Sequence, residues 1–120
     1  MTKIADFTDA DRWIVEGALK RHYGRMITVK PADSEIRFDP ASPEVTVCPT
    51  CYWEASGVEF AIFKIAEDCY RSRFVYATGE QFGPGDDFED LIACTSTTLR
   101  LQTDHARTLA GAHSAGAQLQ

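Results

Sequence analysis

The residues best suited to chemistry are Cys48 and Cys51, a C-x2-C pair with Pro49 and Thr50 between them. In a tight turn this spacing lets two thiolates reach one tetrahedral zinc ion. A complete ribbon site needs a second pair, and only half of one follows: Cys69 is suitably placed, but its partner position holds Ser72. If 58–66 is one straight strand, Cys69 lies roughly 30 Å from the pair, at about 3.3 Å per residue. Cys94 is then the better third ligand, giving a candidate zinc set of Cys48, Cys51, Cys94 and a His or Glu. Thiol–disulfide chemistry instead requires a cysteine at a helix N-terminus, where the dipole lowers its pKa. Only Tyr52–Ser56 separate the pair from Gly57, too short a stretch for more than about one helical turn. The remaining reading, which the pattern favours, makes the cysteines small apolar residues in and beside a sheet.

Other residues invite weighing. Tyr52 and Trp53, in a loop beside the cysteines, form either a ligand-stacking pair or a cover over the open end of the sheet. Trp13 falls on the Glu16, Gly17 and Lys20 side of its helix, away from the apolar stripe. It is either covered by Ile4, Phe7 or the last helix, or it marks a partner surface, since Trp is enriched at interaction hot spots. His22 lies within the apolar stripe and reads as a packed residue. His105 and His113 have no partner that spacing identifies. Gly79, Gly83 and Gly85 precede four carboxylates that would repel a phosphate. Those carboxylates, Asp86, Asp87, Glu89 and Asp90, lack the alternation of a calcium loop and read as helix capping. No nucleophile elbow, P-loop, dinucleotide-binding glycine pattern or H-E-x-x-H helix occurs.

Two helices and a sheet must position these residues. Thr8 caps a helix whose positive end Asp9 and Asp11 favour; its stripe is Ile14, Val15, Ala18, Leu19, His22 and Tyr23, and Gly24 ends it. Met26–Lys30 and Glu35–Phe38 read as a small hairpin around Pro31–Ser34, followed by a Pro-rich loop and a strand over Glu44–Cys48. Val58–Ala66 is apolar on both alternations, so it belongs in the middle of the sheet. It pairs with Cys69–Thr78, which sets Tyr70, Phe74 and Tyr76 on one face and Arg71 and Arg73 on the other. A three-residue connection, placing Ile62 opposite Phe74, avoids setting Lys64 against Arg71. The last helix begins at the acidic run and carries Phe88, Leu91, Ile92, Thr95, Leu99, Ala106, Leu109 and Ala110 on one face, with a weak patch at Thr95–Thr98.

The fold class that follows is α+β: an antiparallel sheet of about five strands between an N-terminal and a C-terminal helix. Residues 1–110 form one domain and 111–120 a flexible tail. The acidic helix–sheet–helix outline is broadly similar to that of small bacterial secretion chaperones.

The 120-residue chain has a formal charge of −6, concentrated in residues 31–90, where four Lys or Arg face thirteen acids. Such a surface repels phosphate backbones, which disfavours nucleic-acid binding. No signal segment, membrane span or lipidation site is apparent, and four cysteines without a disulfide framework suit reduced thiols in the cytoplasm. The expected function is a non-enzymatic protein-binding or accessory module, its partner another protein or a second copy bound through a sheet face or Trp13. The alternatives are a small zinc protein built on Cys48 and Cys51, and a small-ligand binder or enzyme with its pocket between sheet and last helix, near Tyr52 and Trp53.

Overall fold

The computed structural model describes the backbone of residues 4–118 and the side chains of residues 4–110. Its elements run α1 (Asp9–Tyr23), β1 (Lys30–Ile36), β2 (Thr46–Ala55), β3 (Val58–Ala66), β4 (Cys69–Tyr76), β5 (Gln81–Phe82) and α2 (Leu91–Gln118). The strands form one antiparallel sheet in the order of the chain, with β3 at its centre. Both helices lie on one face of that sheet, α2 touching β4 and α1 touching α2. The α+β layout of helix, five strands and helix is the one the pattern implies.

Helix α1 starts where its caps say it should. The Thr8 amide donates to Asp11 Oδ2 at 2.9 Å and the Asp11 amide donates to Thr8 Oγ1 at 3.1 Å, a reciprocal capping box. Gly24, at φ 72°, closes the helix in the left-handed region and donates its amide to the Lys20 carbonyl. Val15, Ala18 and Leu19 face the core.

Four strands contribute one aromatic each to a single row. Trp53 pairs with Phe60, Phe60 with Phe74, and Phe74 with Phe82. Trp53 and Phe60 stack at 5.1 Å with planes 6° apart, and Phe60 meets Phe74 at 6.0 Å. Cross-strand aromatic pairs of this kind fix register as well as bury area. The row faces the helices, with Cys51, Ala55, Val58, Ile62 and Tyr70 filling the space around it.

Three expectations about the strands need correction. The Met26–Lys30 and Glu35–Phe38 hairpin does not form. β1 runs straight through Pro31–Ser34, because an edge strand tolerates a proline whose missing N–H has no partner to serve. The cysteine pair and Tyr52–Trp53 are not in a loop but inside β2. Pro49 is accommodated because Thr46–Pro49 pair with β1 alone, β3 joining only from Thr50. The β3–β4 connection is the two-residue turn Glu67–Asp68, with Asp68 at φ 51° and an irregularity between Lys64 and Ala66. That bulge sets Lys64 opposite Tyr70 instead of Arg71, relieving the charge conflict without a longer loop.

The acidic run is not the first turn of α2. Phe88 makes a two-bond bridge with Tyr70, and only Asp90 caps the helix, accepting from the Ala93 amide at 3.1 Å. Through Thr95–Thr98 the helix is unbroken. Thr95 and Thr98 are buried and donate their hydroxyls back to the Leu91 and Cys94 carbonyls. Since the Thr98 proton is committed there, the Ser72 hydroxyl is the donor in the Ser72–Thr98 bond that ties β4 to α2. The flexible tail expected at 111–120 falls on residues whose side chains lie outside the described ones.

Candidate functional site

The structure does not bring Cys48, Cys51 and Cys94 together. Alternate residues of a strand point to opposite faces, so positions three apart in β2 diverge. Cys51 faces the helices. Cys48 faces the other way, beside Ser34 of β1 and in the field of Arg71. All four cysteines are free, and among the described residues no group of three or more His, Cys, Asp or Glu side chains is placed to hold a metal ion. Burial pushes the Cys51 thiol up to about 12, with Arg12 acting weakly against it, and the Cys94 thiol up to about 11. Both groups are therefore protonated and unreactive near neutrality.

Tyr52 and Trp53 also part company across the strand. Trp53 is 1% exposed inside the aromatic row and has no open ligand-facing side. Tyr52 is half-buried on the opposite face, its phenol pushed up by desolvation and by Glu59. Tyr52 and Trp53 therefore form no stacking pair. Trp13 is 73% exposed, so among the described residues neither Ile4 and Phe7 nor α2 covers it. His22 is exposed rather than packed, with Nε2 at 3.2 Å from the Thr103 hydroxyl. His105, for which spacing suggested no partner, meets the Tyr76 hydroxyl through Nδ1 at 2.7 Å and extends the aromatic row, its ring 4.3 Å from Phe82.

What sequence reasoning missed lies on the face of the sheet that carries no helix. A cavity of about 320 Å³ is lined there by Ser34, Ile36, Arg37, Phe63, Arg71 and Arg73. Phe63 is buried beneath it, and the Arg73 guanidinium lies over the Phe63 ring, 5.0 Å from its centre. Arg71 similarly covers Phe38 at 5.5 Å. A second depression of about 360 Å³ continues past the two arginines to Gln81, Gly83, Pro84 and Asp87. Arg71 and Arg73 thus form a ridge between two hollows, and each already holds a neighbour. Asp87 accepts from Arg71 Nε at 2.8 Å and Nη2 at 3.2 Å, while Gln81 Oε1 accepts from Arg73 Nη1 at 3.2 Å. The Arg71 fork holds the Asp87 carboxyl below the usual range, desolvation opposing it.

Charge placement gives the hollow its character. Of the four Lys and Arg in residues 31–90, Arg37, Arg71 and Arg73 line this one cavity. The fourth, Lys64, is buried at a helix-facing position and reaches Glu67 at 3.6 Å. At the other end of the same open face Glu54 stands directly opposite Glu59. The signal in the sequence was the Arg71, Arg73 alternation set against Phe74. It was outweighed by the acidity of the segment as a whole.

A further cavity of about 300 Å³ opens near the start of α1, between Phe7, Arg12, Val29, Pro31, Pro49 and Cys51. Among the described residues no helix is long and apolar enough to cross a membrane. Compared with protein-family models, curated proteins and solved structures, the chain matches none of them.

Proposed function

We propose that this chain is a small non-enzymatic binding module whose partner protein docks on the helix-free face of the sheet. The observation that carries the reading is the convergence of three arginines from an otherwise acidic segment onto one cavity floored by Phe63. Arginine and aromatic residues dominate interaction hot spots, because they combine apolar area with directed hydrogen bonds. Here the apolar floor is ringed by polar and charged groups, the anatomy of a docking patch. Cys48, buried on that same face, fits a structural role beside the patch.

The test is site-specific photo-crosslinking in an extract of the cells that make the protein. A crosslinking residue in place of Ala61, which pairs with Arg73 on the open face, should trap one discrete partner, and Arg73→Glu should abolish the product. Trapping from the Trp13 or Ile92 position alone would move the interface to the helices and refute the proposal.

A further inference from the structure

We infer that the arginine ridge recognises an extended acidic peptide segment, one with carboxylates at alternate positions flanked two residues away by an apolar side chain. This rests on the open face being the docking surface and adds the chemistry of what docks.

Three observations point to carboxylates. First, Arg71 and Arg73 are alternate residues of β4, so their side chains leave the sheet about 6.6 Å apart. An extended peptide repeats its same-side groups at that same interval, so acids at i and i+2 meet both guanidiniums in register. Second, a carboxylate already occupies the Arg71 fork. Asp87 binds it through two hydrogen bonds, which shows that the guanidinium is presented for bidentate capture. Asp87 is exposed and follows Gly83-Pro84-Gly85, so it is an internal competitor at the edge of the site. Third, half-buried Ile36 leaves apolar surface in the neighbouring hollow, where the flanking apolar residue fits, while Phe63 lies beneath the Arg73 guanidinium.

The charge of the surrounding segment sharpens the choice. Within residues 31–90 thirteen acids repel an acidic segment, and three of the four cations meet at this one cavity, which confers register more than raw affinity.

The experiment is a fluorescence-anisotropy titration of the whole protein. The probe is a labelled peptide of sequence Gly-Leu-Thr-Glu-Thr-Glu-Thr-Leu-Gly, and the control carries Gln in place of both Glu. The Glu peptide should bind, and the Gln peptide should bind at least tenfold more weakly. Arg73→Ala should weaken binding by roughly fivefold to tenfold, the loss of one partly exposed charge-assisted pair. Asp87→Asn should tighten it by roughly threefold, since the internal carboxylate no longer competes. Equal affinity for the two peptides, or weaker binding in Asp87→Asn, would overturn the inference.

Two further arms identify other occupants. If succinate alone displaces the peptide at equal affinity, the site takes free carboxylates rather than a peptide. If the protein sediments as a dimer that Arg73→Glu dissociates, the occupant is a second copy. Either result overturns the peptide assignment. Failure here together with a partner trapped from position 61 would leave the docking face standing and remove only the acidic ligand. Peptide binding as expected, with partners trapped only from the helices, would instead remove the proposed function.

Discussion

Replacing Phe60 with Leu asks whether the cross-strand aromatic row holds the sheet together. Phe60 is 1% exposed and has an aromatic neighbour on each side, Trp53 stacked at 5.1 Å and Phe74 tilted at 6.0 Å. Each such pair is worth about 0.5–1.5 kcal/mol beyond burial, so losing both costs about 1–3 kcal/mol. The smaller Leu also leaves a residual void, adding roughly 0.5–1 kcal/mol. The expected loss is about 2–4 kcal/mol, a large part of the ~5–15 kcal/mol that stabilises a typical domain. Urea denaturation followed by far-UV circular dichroism measures it as a fall in midpoint at constant slope. The matched control is Phe38→Leu, the same chemical change where the ring is 46% exposed and lies under Arg71. That change should cost below about 1 kcal/mol. If the two variants lose equal stability, the aromatic row is not what orders the strands.

Three other outcomes follow from the same geometry. With a thiol-reactive dye, half-buried Cys69 should react first, while Cys48, Cys51 and Cys94 should wait for the chain to open; a second fast thiol would contradict the burial described. Cys51 holds its proton to about 12 in the fold against 9.0 for a free thiol, so the folded chain binds the extra proton between those values. Its contribution to stability is complete below pH 9 and is lost as pH rises toward about 12, so Cys51→Ala should flatten the alkaline decline in midpoint; an unchanged decline would assign it elsewhere. A Cβ at Gly83 would come within 2.6 Å of the Ser72 carbonyl oxygen and 3.2 Å of Arg73 Cα. Gly83→Ala should therefore push the segment after β5 off the edge of β4, costing about 1–3 kcal/mol and speeding amide exchange at Tyr76; unaltered exchange would show that the edge yields freely.

Legibility in the sequence tracked how local the determining forces were. The Thr8 cap, the Gly24 stop and the two-sided apolar run of β3 act within a few residues, and each reads directly. Trp13 was placed on the outward side of α1 by periodicity, and it is exposed. What failed depended on neighbours that no local pattern names. Pro31 and Pro49 look like breakers until β1 is known to be an edge strand and Thr46–Pro49 to have one ladder neighbour. The Lys64 bulge resolves a cross-strand conflict that spacing alone answers with a longer loop. Thr95 and Thr98 look like poor helix formers until their hydroxyls are seen to bond back to the helix and, through Ser72, to the sheet. The arginine cavity was the least legible feature. Arg37 joins Arg71 and Arg73 only after β1, β2, β3 and β4 have been laid side by side.

The central claim is that the helix-free face around Arg71 and Arg73 is the binding surface, and amide chemical-shift mapping of the labelled protein with the acidic peptide tests it most directly. Perturbed amides are expected in 34–37, 61–65, 71–75 and 81–87, with α1 and residues 91–110 of α2 undisturbed. Perturbations gathered instead around Trp13, or around the hollow of Phe7, Arg12 and Cys51, would contradict it.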